Sequence, residues 1–416
     1  MKRIRTLFVA LGCFQFSFLT DVQSAVADVD KEKSKQAVES LQAFLKPDAD
    51  LEKLKKQTFA SVPLTKQDAE EAKKSLWQDH VRRIEKERRA ELEKNEFKVG
   101  EHSLKIWHKT YGEKPATGRS LWISLHGGGG APARVNDSQW NNQKRLYKPA
   151  EGIYVAPRAP GNTWDLWHRP HVDQLFDRMI ETFVALKDVD PNRVYVMGYS
   201  AGGDGVYQLA PRMADRWAAA AMMAGHPNDA KPLGLRNIGF ALFMGGKDGA
   251  YKRNQVAKEW QGKLADLQKQ DNDGYRHFVK IYPNKGHWMG GLDREALPWM
   301  ANIGRNPLPK RIVWQQDDVL RNRFYWLATT NPKKRQLVTA DLTNNRIDLN
   351  CEPGSQLNVR LNDQMTNLDL PVSVAVNKKE SRKHSVSRTI GMLSKTIEEY
   401  GDPALVFSSE ISVGAK

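Results

Sequence analysis

Apolar residues change their spacing twice along the 416-residue chain. Up to about residue 95 they recur every three to four positions, as on one face of a helix. Val38, Leu41, Phe44 and Leu45 form one such stripe, which Lys46-Pro47 ends. A second helix is predicted from near Thr65, with Asp68 in a capping relation to it, to about Leu92. Leu76, His80, Val81 and Ile84 form its inner face, and Glu70–Lys74, Asp79–Arg83 and Glu85–Arg89 pair along the wet side. Residues 28–95 thus read as a helical segment, either packed on the body of the protein or serving as an inhibitory or partner-binding arm.

From about residue 96 to 302 the apolar positions gather into short, nearly continuous runs. Phe97-Lys98-Val99 and Leu104-Lys105-Ile106 alternate around Gly100-Glu101 and predict a hairpin that opens a sheet. Strands follow at Leu121 to Leu125, Ile153 to Ala156, Arg193 to Met197, Ala218 to Ala224, Gly239 to Met244 and Phe278 to Tyr282. A linker, Gly-Arg-Asn-Pro-Leu-Pro at 304–309, then introduces short alternating strands at Ile312 to Trp314, Phe324 to Leu327, Ile347 to Leu349, Leu357 to Leu361 and Val372 to Val376. That spacing predicts a small β-sandwich over residues 310–416. It includes one helix from near Ser387 to Tyr400, closed by Gly401 and Pro403, and a final strand at Ala404 to Phe407. Trp314 and Trp326 there are either exposed platforms for a polymer or buried contacts of a docked structural module.

Chemistry concentrates at Gly198-Tyr199-Ser200-Ala201-Gly202, between the strand at 193–197 and a predicted helix. Strand, sharp glycine-flanked turn and helix are the parts of a nucleophile elbow. A serine hydroxyl needs a base, and the base needs an orienting acid. Asp248 and His287 each follow a strand, in Gly245-Gly246-Lys247-Asp248-Gly249 and Pro283-Asn284-Lys285-Gly286-His287, and the order Ser, Asp, His is that of this class of triad. Asp204 is an alternative acid, although a carboxylate at a helix start also suits the helix dipole. His277 and His226 compete with His287; His226 precedes the acid and breaks the order. His126-Gly127-Gly128-Gly129-Gly130, after the strand at 121–125, supplies exposed peptide groups for an oxyanion. Ala201 and either Gly127 or Gly128 are the expected donors.

Residues 97 to 300 resemble an α/β-hydrolase, most of all secreted esterases related to polyhydroxybutyrate depolymerases, feruloyl and acetylxylan esterases and dienelactone hydrolases. The resemblance implies a mostly parallel, doubly wound sheet, a triad of Ser200, Asp248 and His287, cleavage of a small or polymeric carboxylic ester, and no metal or organic cofactor. Around the site, Trp164, Trp167 and His226 follow strands and are expected at the substrate pocket, with packing of the loop as the other role for the tryptophans. His168 and His171 are separated by Pro170, which removes the helical spacing that would direct both to one metal. The connection from Ala224 to Gly239 is short, so an open site without a lid is expected.

Composition adds compartment. Lys2, Arg3 and Arg5, the apolar run Leu7 to Leu19 and Ala25-Val26-Ala27 form a secretory signal over residues 1–27. Leu11-Gly12-Cys13 is a faint lipoprotein pattern, and no later stretch is apolar enough to span a membrane. The expected location is therefore periplasmic or extracellular. Removing the signal leaves Cys351 as the sole cysteine, so no internal disulfide is expected. The formal charge of +15 suits solubility or an anionic surface, while no motif or aromatic–basic interleaving points to nucleic acid. The sequence thus predicts an exported serine esterase. A prolyl-oligopeptidase-type peptidase, or a polymer-binding protein with a relic hydrolase domain, are the competing readings.

Overall fold

The computed structural model describes residues 29–46 and 51–414, so the signal read at residues 1–27 lies outside the described residues. Its centre is an eight-stranded sheet: β1 (Glu96–Val99), β2 (His102–Tyr111), β3 (Arg119–Leu125), β4 (Gly152–Arg158), β5 (Val189–Tyr199), β6 (Ala219–Met223), β7 (Gly239–Gly245) and β8 (His277–Tyr282). The spatial order is β1-β2-β4-β3-β5-β6-β7-β8. β2 runs antiparallel to β1 and β4, and the remaining pairs are parallel. This is the doubly wound α/β-hydrolase arrangement.

The strands read as continuous apolar runs because both faces of the sheet are covered. Leu121, Ile123, Val194 and Val196 enter one apolar cluster, while the alternate residues Trp122, Tyr195 and Met197 enter another. Nine helices among the described residues are α1 (Lys31–Phe44), α2 (Leu51–Leu54), α3 (Lys66–Lys94), α4 (Ala133–Leu146), α5 (Pro170–Leu186), α6 (Ala201–Arg212), α7 (Arg253–Gln270), α8 (Ala296–Ala301) and α9 (Ile390–Tyr400).

The 29-residue α3 starts where Thr65 accepts a hydrogen bond from the Asp68 amide and stops at Asn95 in the left-handed region. It is docked. Ala69, Ala72 and Leu76 pack with Val38 and Leu41 of α1 and with Ile390, Leu393 and Ile397 of α9. His80 Nε2 lies 2.9 Å from Glu181 of α5, which Arg88 also contacts, and Arg178 Nε donates to Glu91 at 2.8 Å. The helical segment therefore bridges the central sheet and the C-terminal module.

That module is a sandwich of two sheets, β10 (Arg323–Phe324), β11 (Leu327–Thr329), β14 (Gln356–Leu361) and β17 (Ser409–Gly414) facing β9 (Arg311–Gln315), β12 (Leu337–Thr343), β13 (Arg346–Asn350), β15 (Val372–Val376) and β16 (Arg382–His384). Tyr325, at φ 53°, breaks the strand expected over 324–327 into two. Ala404 to Phe407 is a buried turn rather than a strand, because Asp402 caps it and Thr396 exchanges hydrogen bonds with the Phe407 backbone. The last strand lies later, at β17. Trp314 and Trp326 are buried: Trp314 stacks on Phe324 at 5.8 Å, and the Trp326 indole donates to the Pro309 carbonyl at 2.8 Å. Of the two roles open for them, they are the buried contacts of a docked module.

Module and sheet meet across a layer of buried charge. Asp177 of α5 accepts from Arg216 at 2.7 Å and from Arg321 and Arg323 of the module at 3.1 Å each. Asp173 holds Arg212 at 2.6 Å, and Asp402 of the module holds Arg305 at 2.8 Å. Burial would push the Asp177 carboxyl up, but Arg321, Arg216 and Arg323 outweigh it and hold the group well below the usual carboxylate range. Asp177→Asn removes the negative charge that three guanidinium groups face and is expected to destabilise the protein by about 3–5 kcal/mol, read as a lower urea midpoint. Because the folded value is lowered, this contribution is complete above the unfolded Asp value of about 4 and is lost as pH falls below it. The difference between wild type and variant should hold steady from about pH 5 to 8 and shrink in acid.

Candidate active site

β5 ends in the centre of the sheet, and the chain reverses into α6 within one residue. Ser200 occupies that corner at φ 57°, ψ −123°, a conformation that a side chain tolerates only under constraint. Space on both sides comes from glycine. A Cβ on Gly198 would overlap the Gly202 carbonyl, and one on Gly202 would overlap the carbonyl of Leu125. The Ser200 amide donates to the Met223 carbonyl at 2.9 Å, which ties the corner to β6.

Three predicted residues converge here. Ser200 Oγ lies 3.0 Å from His287 Nε2, and His287 Nδ1 lies 2.7 Å from Asp248 Oδ2. The Asp248 side chain is 2% exposed and that of His287 43%, so the acid is sealed and the imidazole reaches the cleft. Asp204 does not join them. Its Oδ1 accepts from the His226 amide at 2.6 Å, and burial raises its carboxyl against that hydrogen bond.

The glycine loop lies against the serine. A Cβ built on Gly127 would stand 3.1 Å from that of Ser200. Gly128, at φ 112°, turns the loop over the buried Asn136, whose Oδ1 accepts from the Gly129 amide at 3.0 Å. The Gly129 amide is thereby occupied, which favours Gly127 and Gly128 as donors beside Ala201 at the start of α6. His126 fixes the loop from below, donating through Nδ1 to the Gly127 carbonyl at 2.6 Å and accepting the Ala159 amide at Nε2, 3.0 Å away. Burial brings its pKa down to about 4, so the imidazole is neutral at pH 7.

The cleft around Ser200 has a volume of about 620 Å³ and is lined by Val135, Gln139, Leu146, Tyr199, Trp288 and His287 among others. Of the three residues expected at the pocket, none lines this cleft. Trp167 is fully buried, with its indole donating to the His126 carbonyl at 3.2 Å, so it anchors the loop from within and is corrected from pocket wall to core. Trp164 is 65% exposed and backs onto Gly129 and Gly130, on the far side of the glycine loop. His226 is held by its neighbours, its Nδ1 accepting the Asn228 amide at 3.0 Å. His168 packs edge-on against Trp164 while His171 stacks on His102 at 3.8 Å, so the two imidazoles of the H-x-x-H serve different contacts.

Several residues of the site carried no readable signal. Tyr199 sits inside the elbow sequence, yet its role is structural: its hydroxyl donates to the His287 carbonyl at 2.6 Å and accepts the Met289 amide at 3.0 Å, pinning the histidine loop. Trp288 follows His287 directly and is 56% exposed. Asn136, Arg145 and Arg294 come from a helix and a distant turn, and no motif marks them.

No protein-family model and no curated protein matches the chain. Among solved structures, a thermostable esterase is similar at a TM-score of 0.39 and 18% identity, over 50% of this chain and 62% of that one. Thermogutta terrifontis esterase 2 is similar at 0.34 and 18%, over 49% and 88%. A Bacteroides ovatus protein named as a dipeptidyl aminopeptidase IV is similar at 0.34 and 17%, over 49% and 33%. The match thus spans less than two thirds of the first of these proteins and a third of the last. Likenesses at this level decide nothing about chemistry. By its strand order and the serine corner after β5, the chain has the α/β-hydrolase fold.

Proposed function

We propose that this chain is a serine hydrolase that cleaves carboxylic esters, with Ser200 as nucleophile, His287 as base and Asp248 as its orienting acid. The observation that carries the reading is the continuous relay from Ser200 Oγ to His287 Nε2 at 3.0 Å and from Nδ1 to Asp248 at 2.7 Å. With Asp248 accepting from Nδ1–H, the lone pair of Nε2 faces the serine hydroxyl. His287 takes the hydroxyl proton as Oγ attacks the ester carbonyl, and the imidazolium formed is stabilised by the buried carboxylate. The amides of Ala201 and of Gly127 or Gly128 receive the oxyanion. On collapse of the tetrahedral species the alcohol leaves with the proton from Nε2. Water, deprotonated by the same nitrogen, then hydrolyses the acyl-enzyme and regenerates Ser200.

The exposed imidazole and the shallow cleft support an ester that reaches the serine from solvent. The basic, apolar and small-residue segments at residues 1–27 support an exported enzyme. Among the described residues no helix is long and apolar enough to cross a membrane.

A fluorophosphonate probe should label the wild-type protein and leave Ser200→Ala unlabelled. Hydrolysis of p-nitrophenyl acetate and butyrate should fall about three or more orders of magnitude in the same variant. Equal rates in both proteins, with no labelling, would remove the reading. Asp248→Asn keeps the side-chain volume but stabilises the wrong imidazole tautomer; kcat should drop by about 10⁴ with little change in thermal midpoint.

A further inference from the structure

The cleft beside Ser200 has no carboxylate among its lining residues. Its charged walls are Arg145 and Arg294. Both are exposed, and neither forms an ion pair with a carboxylate among the described residues. They also line an adjoining cleft of about 570 Å³, with Lys148 and Arg193; the acid there, Glu151, is already paired with Arg193 at 3.0 Å. The two clefts therefore share a wall on which Arg145 and Arg294 stand without an ion-paired carboxylate.

Arginine at the end of a helix has an ordinary role, since Lys144 and Arg145 lie in the last turn of α4 and oppose its dipole. That does not account for Arg294, which belongs to a turn 149 residues further along the chain. Its guanidinium is folded over Gly291, where a Cβ would come within 2.9 Å of Nη1, and its Nε donates to the Leu146 carbonyl at 3.3 Å. The two segments are clamped beneath the surface. Tyr147, two residues after Arg145, is fully buried and donates its hydroxyl to Asp293, the buried residue before Arg294. Burial pushes the Asp293 carboxyl up, against the Tyr147 hydrogen bond and the charge of Arg294. Asp293, which precedes Arg294 in the chain, is engaged from the inside by Tyr147. Leu146 and Trp288 supply apolar surface in the same cleft.

We propose that Arg145 and Arg294 form an anion subsite next to Ser200, so that the preferred ester carries a carboxylate on the part that lies in this cleft. The proposal rests on the serine-esterase reading and names the class of its substrate. Two segments joined by one buried hydrogen bond each present a guanidinium to the cleft, and such groups suit a planar oxyanion, which they meet with charge-assisted hydrogen bonds.

The test compares matched esters on the purified full chain. One pair places the charge on the acyl side, p-nitrophenyl hemiglutarate against p-nitrophenyl valerate. The other places it on the alcohol side, 4-acetoxybenzoate against phenyl acetate. At least one anionic member should be favoured in kcat/KM by about tenfold or more, and the ratio should fall towards one in Arg145→Gln/Arg294→Gln. Sodium chloride at about 0.5 M should reduce the ratio in the wild type. No preference in either pair, or a preference the double substitution leaves intact, overturns the subsite. Failure of the esterase reading looks different: no Ser200-dependent turnover of any of the four esters. Calorimetric titration with glutarate then decides, because binding to the wild type that the double variant loses sustains the subsite and no binding to the wild type ends it.

Discussion

The backbone at Ser200 is the constraint around which the rest of the molecule is arranged. A non-glycine residue at φ 57° and ψ −123° costs about 1–3 kcal/mol, and it persists only where neighbours leave no alternative. Here β5 enters the corner from the middle of an eight-stranded sheet, and α6 leaves it at once. For that helix to begin so close, its first turn must lie on strand backbone: Gly202 over the Leu125 carbonyl and Gly203 against the Met223 carbonyl. The same approach brings the glycine loop beside the serine and makes the Ala201 amide the first free donor of the helix. Corner, helix start and loop are thus one packing problem with one solution.

Strain of that kind needs a stiff surround, and the chain supplies it through contacts at long range. The apolar cluster on one face of the sheet continues without a break into the sandwich, from Leu121 and Phe176 to Trp326, Leu357 and Ile411. Between the two stands the arginine–aspartate layer. Its cost of desolvation is offset because Asp173, Asp177 and Asp402 each meet more than one guanidinium, so removing one member leaves the others stranded. On the outside, α3 joins α5 to α9. Cys351 is the only cysteine among the described residues and is free. Cohesion therefore comes from packing and buried charge rather than from cross-links.

Local signals carried the α/β half of the fold. The strands at 121–125, 193–197 and 239–244 were legible because burial on both faces makes them uninterrupted apolar runs, and the glycines at 198 and 202 mark the corner by what they lack. The sandwich was legible in type but less so in detail. Leu337–Thr343 alternates buried and half-buried residues over a largely polar sequence, whereas the buried turn at 404–407 is apolar for reasons of tertiary contact and so imitates a strand. Trp164, Trp167 and His226 each follow a strand, which predicts a place at the pocket. That rule gives the correct end of the sheet but cannot tell which way a side chain turns. Trp167 turns inward to fill the space above Gly205, and the cleft opens on the opposite side of the glycine loop, towards α4 and Trp288.

Residues that shape an open cleft are the hardest to read from sequence, since exposed side chains on polar helices follow no period. What gives them fixed positions lies underneath. Leaving a buried hydroxyl or carboxyl unpaired costs more than pairing it gains, so the Tyr147–Asp293 hydrogen bond fixes the spacing of the segments that carry it. The exposed side chains one and two residues away inherit that spacing. By the same logic, the Tyr199 hydroxyl fixes the loop of His287 from below while the imidazole itself faces solvent. An open site can in this way be rigid without a lid, its geometry set by buried polar pairs adjacent in sequence to the groups that line the cleft. Specificity in such a site depends on the few exposed charges and rings those pairs hold in place, rather than on enclosure.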